Sequence, residues 1–115
     1  MFKKDIFKKL NLLKEEKVES CVKVYNPFSV TCKNGILIVS PFGSHSYSFE
    51  VVFDNEEKMA DFIDEMKKSD FEQKNYISGQ YVYADYANRF YKVSGFINSA
   101  LIEELTLYIK EKLNG

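Results

Sequence analysis

Apolar residues recur along this chain at two spacings, and each spacing predicts a different kind of element. Tyr47, Phe49, Val51 and Phe53 alternate with Ser46, Ser48 and Glu50, the period of two that marks a strand with one buried face. Met59, Phe62, Ile63 and Met66 instead fall at i, i+3, i+4 and i+7, the stripe of an amphipathic helix. Asp54 and Glu57 have the spacing of a capping box that opens this helix, and Lys67 with Lys68 suits its C-terminal end. The same period predicts a first helix over about residues 2–16, with Phe2, Ile6, Leu10 and Leu13 on one face and Lys4, Lys8 and Lys9 toward solvent. It also predicts a last helix from about Ser99 to Leu113, carrying Leu101, Leu105, Tyr108 and Ile109, with Glu103 and Glu104 early and Lys110 and Lys112 late.

Between the first two helices lie VESCVKVYN, FSVTCK, ILIVS and HSYSFEVVF, four runs rich in β-branched and aromatic residues and separated by turn residues. They read as a meander. A three-residue loop, Tyr25 to Pro27, pairs Val24 with Phe28 and Val22 with Val30, which gathers apolar residues on one face and buries Cys32. Asn34-Gly35 predicts a type I′ turn between Lys33 and Ile36, with Cys32 opposite Leu37 and Val30 opposite Val39. Ile36 and Ile38 break the one-face pattern and require a bulge or partial cover on the second face. Two more strands, Tyr76 to Ala84 and about Arg89 to Ser94, flank the turn DYAN. Alternation places Ile77, Tyr81 and Tyr83 on one side of the first of them and Tyr76, Ser78, Gln80 and Val82 on the other. If helices cover the Ile77 side, Tyr81 and Tyr83 line the core and Tyr76 and Tyr86 are the exposed pair.

The predicted order is α-β-β-β-β-α-β-β-α, with hairpins in place of βαβ crossovers. That order implies an α+β fold, a single domain over residues 1–115, in which an antiparallel sheet of about six short strands carries its helices mainly on one face. A chain of 115 residues that is 45% hydrophobic buries roughly two thirds of its unfolded surface, so one core suffices.

Charge and composition narrow the function. Sixteen basic residues against seventeen acidic ones give a net charge of −1, and no overall basic field draws the chain to nucleic acid or an anionic membrane. Fifteen of the sixteen are lysine, and with abundant Phe, Tyr and Asn this usage suggests an AT-rich bacterial or phage genome. No run of 18 apolar residues occurs and the N-terminal pattern is not that of a secretion signal, so a cytoplasmic protein is expected. The two cysteines, Cys21 and Cys32, are then expected to be free thiols. Together with the single His45 they lack the close ligand pairs of structural zinc sites. His45 has no nucleophile beside it, and phosphate-cradling glycine loops are absent. A non-enzymatic protein without metal or cofactor is the expectation.

Charge is unevenly distributed. Residues 1–33 hold eight Lys and four acids, a balance of +4, and residues 54–72 hold three Lys and eight acids, a balance of −5. A helix that spends Met59, Phe62, Ile63 and Met66 on the core points Glu57, Asp61 and Asp64 outward, and with Glu65 of the same acidic cluster they suit a basic partner surface. Tyr86 and Arg89, in the Tyr-rich turn, are residue types enriched at protein interfaces. These six residues are the candidate partner site of a small inhibitor or adaptor, of the kind that phage and mobile elements direct against a host protein. A homodimer is a second possible assembly. The alternative is single-stranded nucleic-acid binding by an aromatic sheet face aided by Lys4, Lys8 and Lys9, although the RNP1 pattern of RNA-recognition modules is absent.

Overall fold

In the computed structural model, residues 27–115 are described in full, and before them the backbone of two short strands, β1 (Glu15–Lys17) and β2 (Lys23–Tyr25). These two pair with each other as a separate antiparallel ribbon. The main sheet contains β3 (Phe28–Cys32), β4 (Gly35–Phe42), β5 (Ser46–Phe53), β6 (Ile77–Asp85) and β7 (Phe90–Asn98). Its spatial order is β3-β4-β5-β7-β6, every neighbouring pair antiparallel. Between β5 and β6 lie helix α1 (Glu56–Lys67) and a single turn, α2 (Asp70–Gln73), and after β7 a 3-10 turn (Ser99–Leu101) leads into α3 (Ile102–Asn114). The α+β class therefore holds, with a different strand count and order. The main sheet has five strands, and the chain crosses over through α1 so that β6 lands at the far edge and β7 returns to fill the place beside β5.

The strand β5 forms as its pattern dictates, with Tyr47, Phe49, Val51 and Phe53 all buried. Leu37 and Val39 of β4 and Tyr91, Val93 and Ile97 of β7 join them on the same side. Onto this surface α1 lays Met59, Phe62 and Met66, and α3 lays Ile102, Leu105, Ile109 and Leu113. Helix α1 packs over β5 and β7, α3 over β3 and β4. The rings of Phe53 and Phe62 meet with centroids 5.5 Å apart, which ties sheet and helix together. Among the described residues no helix is long and apolar enough to cross a membrane.

Several sequence expectations change at the turns. Glu15 and Glu16 sit in a strand, not in the first helix, and residues 2–14 of that helix lie outside the described residues, as do Cys21 and Val22. Val24 is paired with Glu16 in the small ribbon, so it does not face Phe28. The turn after β3 is Lys33-Asn34, with Cys32 opposite Gly35 and Val30 opposite Leu37. No positive φ occurs there, which excludes type I′. Its cause is tertiary: the Asn34 backbone N–H donates to the Leu113 carbonyl at 2.8 Å, the Asn34 side-chain amide donates to the Gly115 carbonyl at 3.3 Å, and the Lys33 N–H donates to Asn114 Oδ1 at 3.0 Å. The turn thus satisfies carbonyls that the end of a helix leaves open. Gly35 is needed there for space, because a Cβ would stand 3.0 Å from the Val52 carbonyl oxygen and 3.3 Å from Leu113. Cys32 is a free thiol, half-buried and not fully enclosed.

The helix cap also shifts by one residue. Asn55 is the N-cap of α1, accepting the Lys58 N–H at 3.1 Å, while Asp54 forms an ion pair with Lys58 at 3.8 Å. At the other end the buried Ser69 hydroxyl donates to the Met66 carbonyl at 2.6 Å and turns the chain into α2. Strand β7 runs through Gly95 to Asn98, four residues beyond its expected end.

Phe62 joins α1 to the sheet, and removing its ring leaves a cavity that neither layer can close. Phe62→Ala is expected to lower the free energy of unfolding by about 3–5 kcal/mol, measured by urea denaturation; an unchanged midpoint would place α1 outside the core.

Candidate functional site

All three helices lie on one side of the main sheet, and the other side is open at Ile36, Phe42, Tyr81, Tyr83 and Phe90. The character of that open side is decided by one irregularity in β6. Ser78 faces Phe96 and Tyr81 faces Ser94, so Gly79 and Gln80 together oppose the single residue Gly95. This is a β-bulge, one extra residue on one strand. Gly79 takes φ +59 and packs so closely on the Phe96 ring that a Cβ would come within 2.7 Å of it. Gly95 has no room either, since a Cβ would approach the Ile77 methyl at 2.8 Å and Phe49 at 3.2 Å.

An extra residue inverts every side chain that follows it. Ile77 stays on the helix side, opposite Ile97, but Tyr81 and Tyr83 emerge on the open side and Val82 on the helix side. The expectation that Tyr81 and Tyr83 line the core beside Ile77 is therefore wrong: they are 48% and 47% exposed. Tyr76 and Tyr86 are exposed as expected.

On the open face Tyr81, Tyr83 and Phe90 surround Lys92, whose ammonium lies 5.8, 5.9 and 5.9 Å from the three ring centroids. Tyr83 and Phe90 also meet edge to face, centroids 6.2 Å apart. Glu50, reaching across from β5, pairs with the ammonium at 3.4 Å. Burial works against the charge of Lys92, but Glu50 and the Tyr81 hydroxyl more than offset it and hold its pKa above the usual lysine value. Beneath the rings the Ser94 hydroxyl, on a residue only 4% exposed, has no hydrogen-bond partner. Farther along the same face, Phe42 stacks obliquely on Phe96 with centroids 4.6 Å apart, and Ile36 adds apolar surface. The second face is thus uncovered at Ile36 and only partly shielded at Ile38, with no bulge in β4 or β5.

The six residues singled out from the sequence are dispersed. Glu57, Asp61, Asp64 and Glu65 are exposed on α1 as expected, but this helix covers the side of the sheet opposite the tyrosine face. Asp61 and Glu65 line a groove of about 240 Å³ between α1 and α3. There Glu65 accepts from Lys112 at 3.2 Å and its carbonyl accepts from the Tyr108 hydroxyl at 3.0 Å, so it is engaged in joining the two helices. Tyr86 donates to Glu56 at 2.7 Å and rests edge-on against Tyr91; the adjoining carboxylate pushes its phenol pKa up. Arg89, in the left-handed region at φ 54, lines a different depression together with Asp54, Lys58 and Thr31. Tyr86 and Arg89 therefore have different surroundings at one turn, whose shape is set by Asp85 accepting the Asn88 N–H at 3.1 Å and its side-chain amide at 2.9 Å. Those two bonds lower the Asp85 pKa.

Sequence reasoning placed Glu50 on the polar face of its strand but missed Phe42, Phe90, Lys92 and Phe96 as surface groups and misassigned Tyr81 and Tyr83. One signal was available: an isolated glycine inside a strand pattern, Gly79, marks a bulge. His45 is exposed in the turn between β4 and β5, where its carbonyl accepts the Ser99 N–H at 2.8 Å. Among the described residues no three His, Cys, Asp or Glu side chains gather in a way that holds a metal ion. No known protein family matches this chain, and no curated protein or solved structure is similar to it.

The ion pair at the centre of the open face gives a pH test with a defined sign. Because the folded pKa of Lys92 is raised, the stability it contributes is complete below the unfolded lysine value of about 10.4 and is lost as pH rises through the folded value. Urea midpoints are expected to fall more between about pH 9 and pH 11.5 for the wild type than for Lys92→Met. Parallel curves would mean that the ammonium is not held by Glu50 and the rings.

Proposed function

We propose that this chain is a non-enzymatic protein-binding module, a small inhibitor or adaptor of the phage or mobile-element type, and that it meets its partner through the open sheet face centred on Tyr81, Tyr83 and Phe90. The observation that carries this reading is the exposure of three large rings whose positions are already fixed around Lys92. Aromatic side chains offer large contact area at low entropic cost, and rings held in place before binding lose less freedom on contact.

The chemistry of the face favours a protein over a nucleic acid. Lys92 is the only cation on the open face among the described residues of β4 to β7, and it is neutralised by Glu50. Asp85 projects from the same side. Rings alone can stack on bases, but phosphates need unpaired cations. The acidic helix carries the other form of the protein-binding reading: Glu57, Asp61 and Asp64 are exposed and unpaired. A partner seated on the tyrosine face does not touch them, because α1 is on the far side of the sheet.

The test begins with capture of a specific protein from the native host and proceeds with two double variants. Tyr81→Ser with Tyr83→Ser is expected to weaken binding on the order of thirtyfold or more, the loss typical of hot-spot removal. Asp61→Lys with Asp64→Lys is expected to leave affinity unchanged, and being exposed it should change stability by only about 0.5 kcal/mol. The opposite pattern moves the site to α1. Salt-sensitive binding of mixed oligonucleotides, seen by fluorescence anisotropy and lost in Lys4→Glu with Lys8→Glu, would replace the protein partner with single-stranded nucleic acid.

A further inference from the structure

Among the described residues no strand pairs with the outer edge of β6. Within the main sheet this strand pairs only with β7, so one row of its backbone N–H and C=O groups has no partner strand. Exposed edges of this kind are normally guarded by lysine, proline or an inward charge, yet Ile77 to Ala84 contains no charged residue and no proline in a chain that is 29% charged. The bulge at Gly79 and Gln80 interrupts the strand near its start, and beyond it Tyr81 to Asp85 run in unbroken register with β7. Both faces of that segment present apolar surface: Tyr81 and Tyr83 on the open side, and on the helix side Val82, which is 52% exposed. Between α1 and β6 lies a cleft of about 390 Å³ lined by Val82, Ile63, Met66 and Val93 together with Lys67 and Glu72.

We propose that β6 is the contact strand of a symmetric dimer, in which two copies of this chain join edge to edge and antiparallel about a two-fold axis at Val82. The order Tyr81-Val82-Tyr83 reads the same in both directions. The axis therefore sets each Tyr81 against Tyr83 of the second copy on the open side and Val82 against its own counterpart on the helix side. Aromatic pairs directly across antiparallel strands are among the favourable ones, and an isologous contact needs a surface that complements itself. Charge agrees: Gln80 faces Ala84 and Gly79 faces Asp85, so no like charges meet along the strand, and the cleft rim contributes one Lys and one Glu from each copy. The two sheets become one of ten strands with β3 at each end, the two β6 edges are paired, and the two tyrosine faces join into one surface. This assembly does not depend on the proposed partner, because it uses the backbone edge and Val82, not the outward faces of the rings.

The test is sedimentation equilibrium of the full chain from about 5 to 500 µM, a range over which mass action separates monomer from dimer. The wild type is expected to rise to twice the chain mass with concentration. Val82→Lys, which sets two ammonium groups against each other at the axis, should weaken self-association on the order of tenfold or more, whereas Val82→Thr should retain it. Circular dichroism checks that both variants are folded, and exposure of Val82 is the reason to expect that they are. Amides of Tyr81 to Asp85 should gain hydrogen-exchange protection at high concentration in the wild type and in Val82→Thr but not in Val82→Lys. A wild-type chain that stays monomeric throughout overturns the proposal, as does a dimer that Val82→Lys leaves intact. Loss of the dimer with partner binding preserved would separate this contact from the tyrosine face.

Discussion

One inserted residue in β6 controls which side of the sheet the tyrosines occupy. Gly79 and Gln80 share the space opposite Gly95, and the arrangement works only because both glycines lack a Cβ. At Gly79 the backbone is left-handed and the Phe96 ring fills the position a side chain would take; at Gly95 the Ile77 methyl and the Phe49 ring do the same from the other side. The bulge is thus held between the core and the open face. It lets Ile77 remain over the core while the next three side chains that matter, Tyr81, Val82 and Tyr83, exchange sides. A regular strand here would turn both tyrosines to the helix side, where Val82 now lines the cleft, and would take from the open face two of the three rings around Lys92.

The second determinant is the single helical layer. Helices α1 and α3 lie over β3, β4, β5 and β7, while at the β6 edge Ile77 and Ala84 still reach the core but Val82 is left 52% exposed, so the cover thins at that strand. The layer is anchored at one corner by the turn of Lys33 and Asn34, which binds the end of α3, and at the other by Tyr86 against Glu56 at the start of α1. Between these corners α1 and α3 are joined by Glu65, Lys112 and Tyr108. Acidic side chains that sequence alone presents as one outward face are therefore divided, Glu65 holding the helices together and Glu57 and Asp64 left to solvent.

How much of this was legible follows a simple arithmetic of registers. The expected pairing of β3 with β4 set Val30 opposite Val39, and the structure sets it opposite Leu37; a shift of two residues leaves each side chain on its own face, so Leu37, Val39 and the β5 residues were correctly assigned to the core although their partners were not. In β6 the error is one residue, and one residue reverses the faces. Local pattern also located α1, whose buried Met59, Phe62 and Met66 are the stripe that predicted it, but missed its cap by one position because Asp54 and Asn55 are both good caps. The expected end of β7 at Ser94 falls four residues short, and what Gly95 serves, close contact with Ile77 and Phe49, is tertiary. Nothing in the order of residues announces that Asn34 will bond to a helix end about eighty positions away.

The same reasoning explains why the open face can be both polar enough to meet water and suited to contact. Ser40, Ser48, Glu50, Lys92 and Ser94 run through the middle of this face, which separates its apolar groups from one another. Its rings gather in two groups, Phe42 with Phe96 and the three around Lys92. In the second group the ammonium organises the aromatics: three rings facing one cation cannot collapse on each other, so each keeps an edge or a face turned outward. A cation neutralised by Glu50 adds little net charge to the surface while fixing the rings' positions, and this is the condition under which aromatic contact contributes to affinity without the entropic loss of ordering side chains that were free.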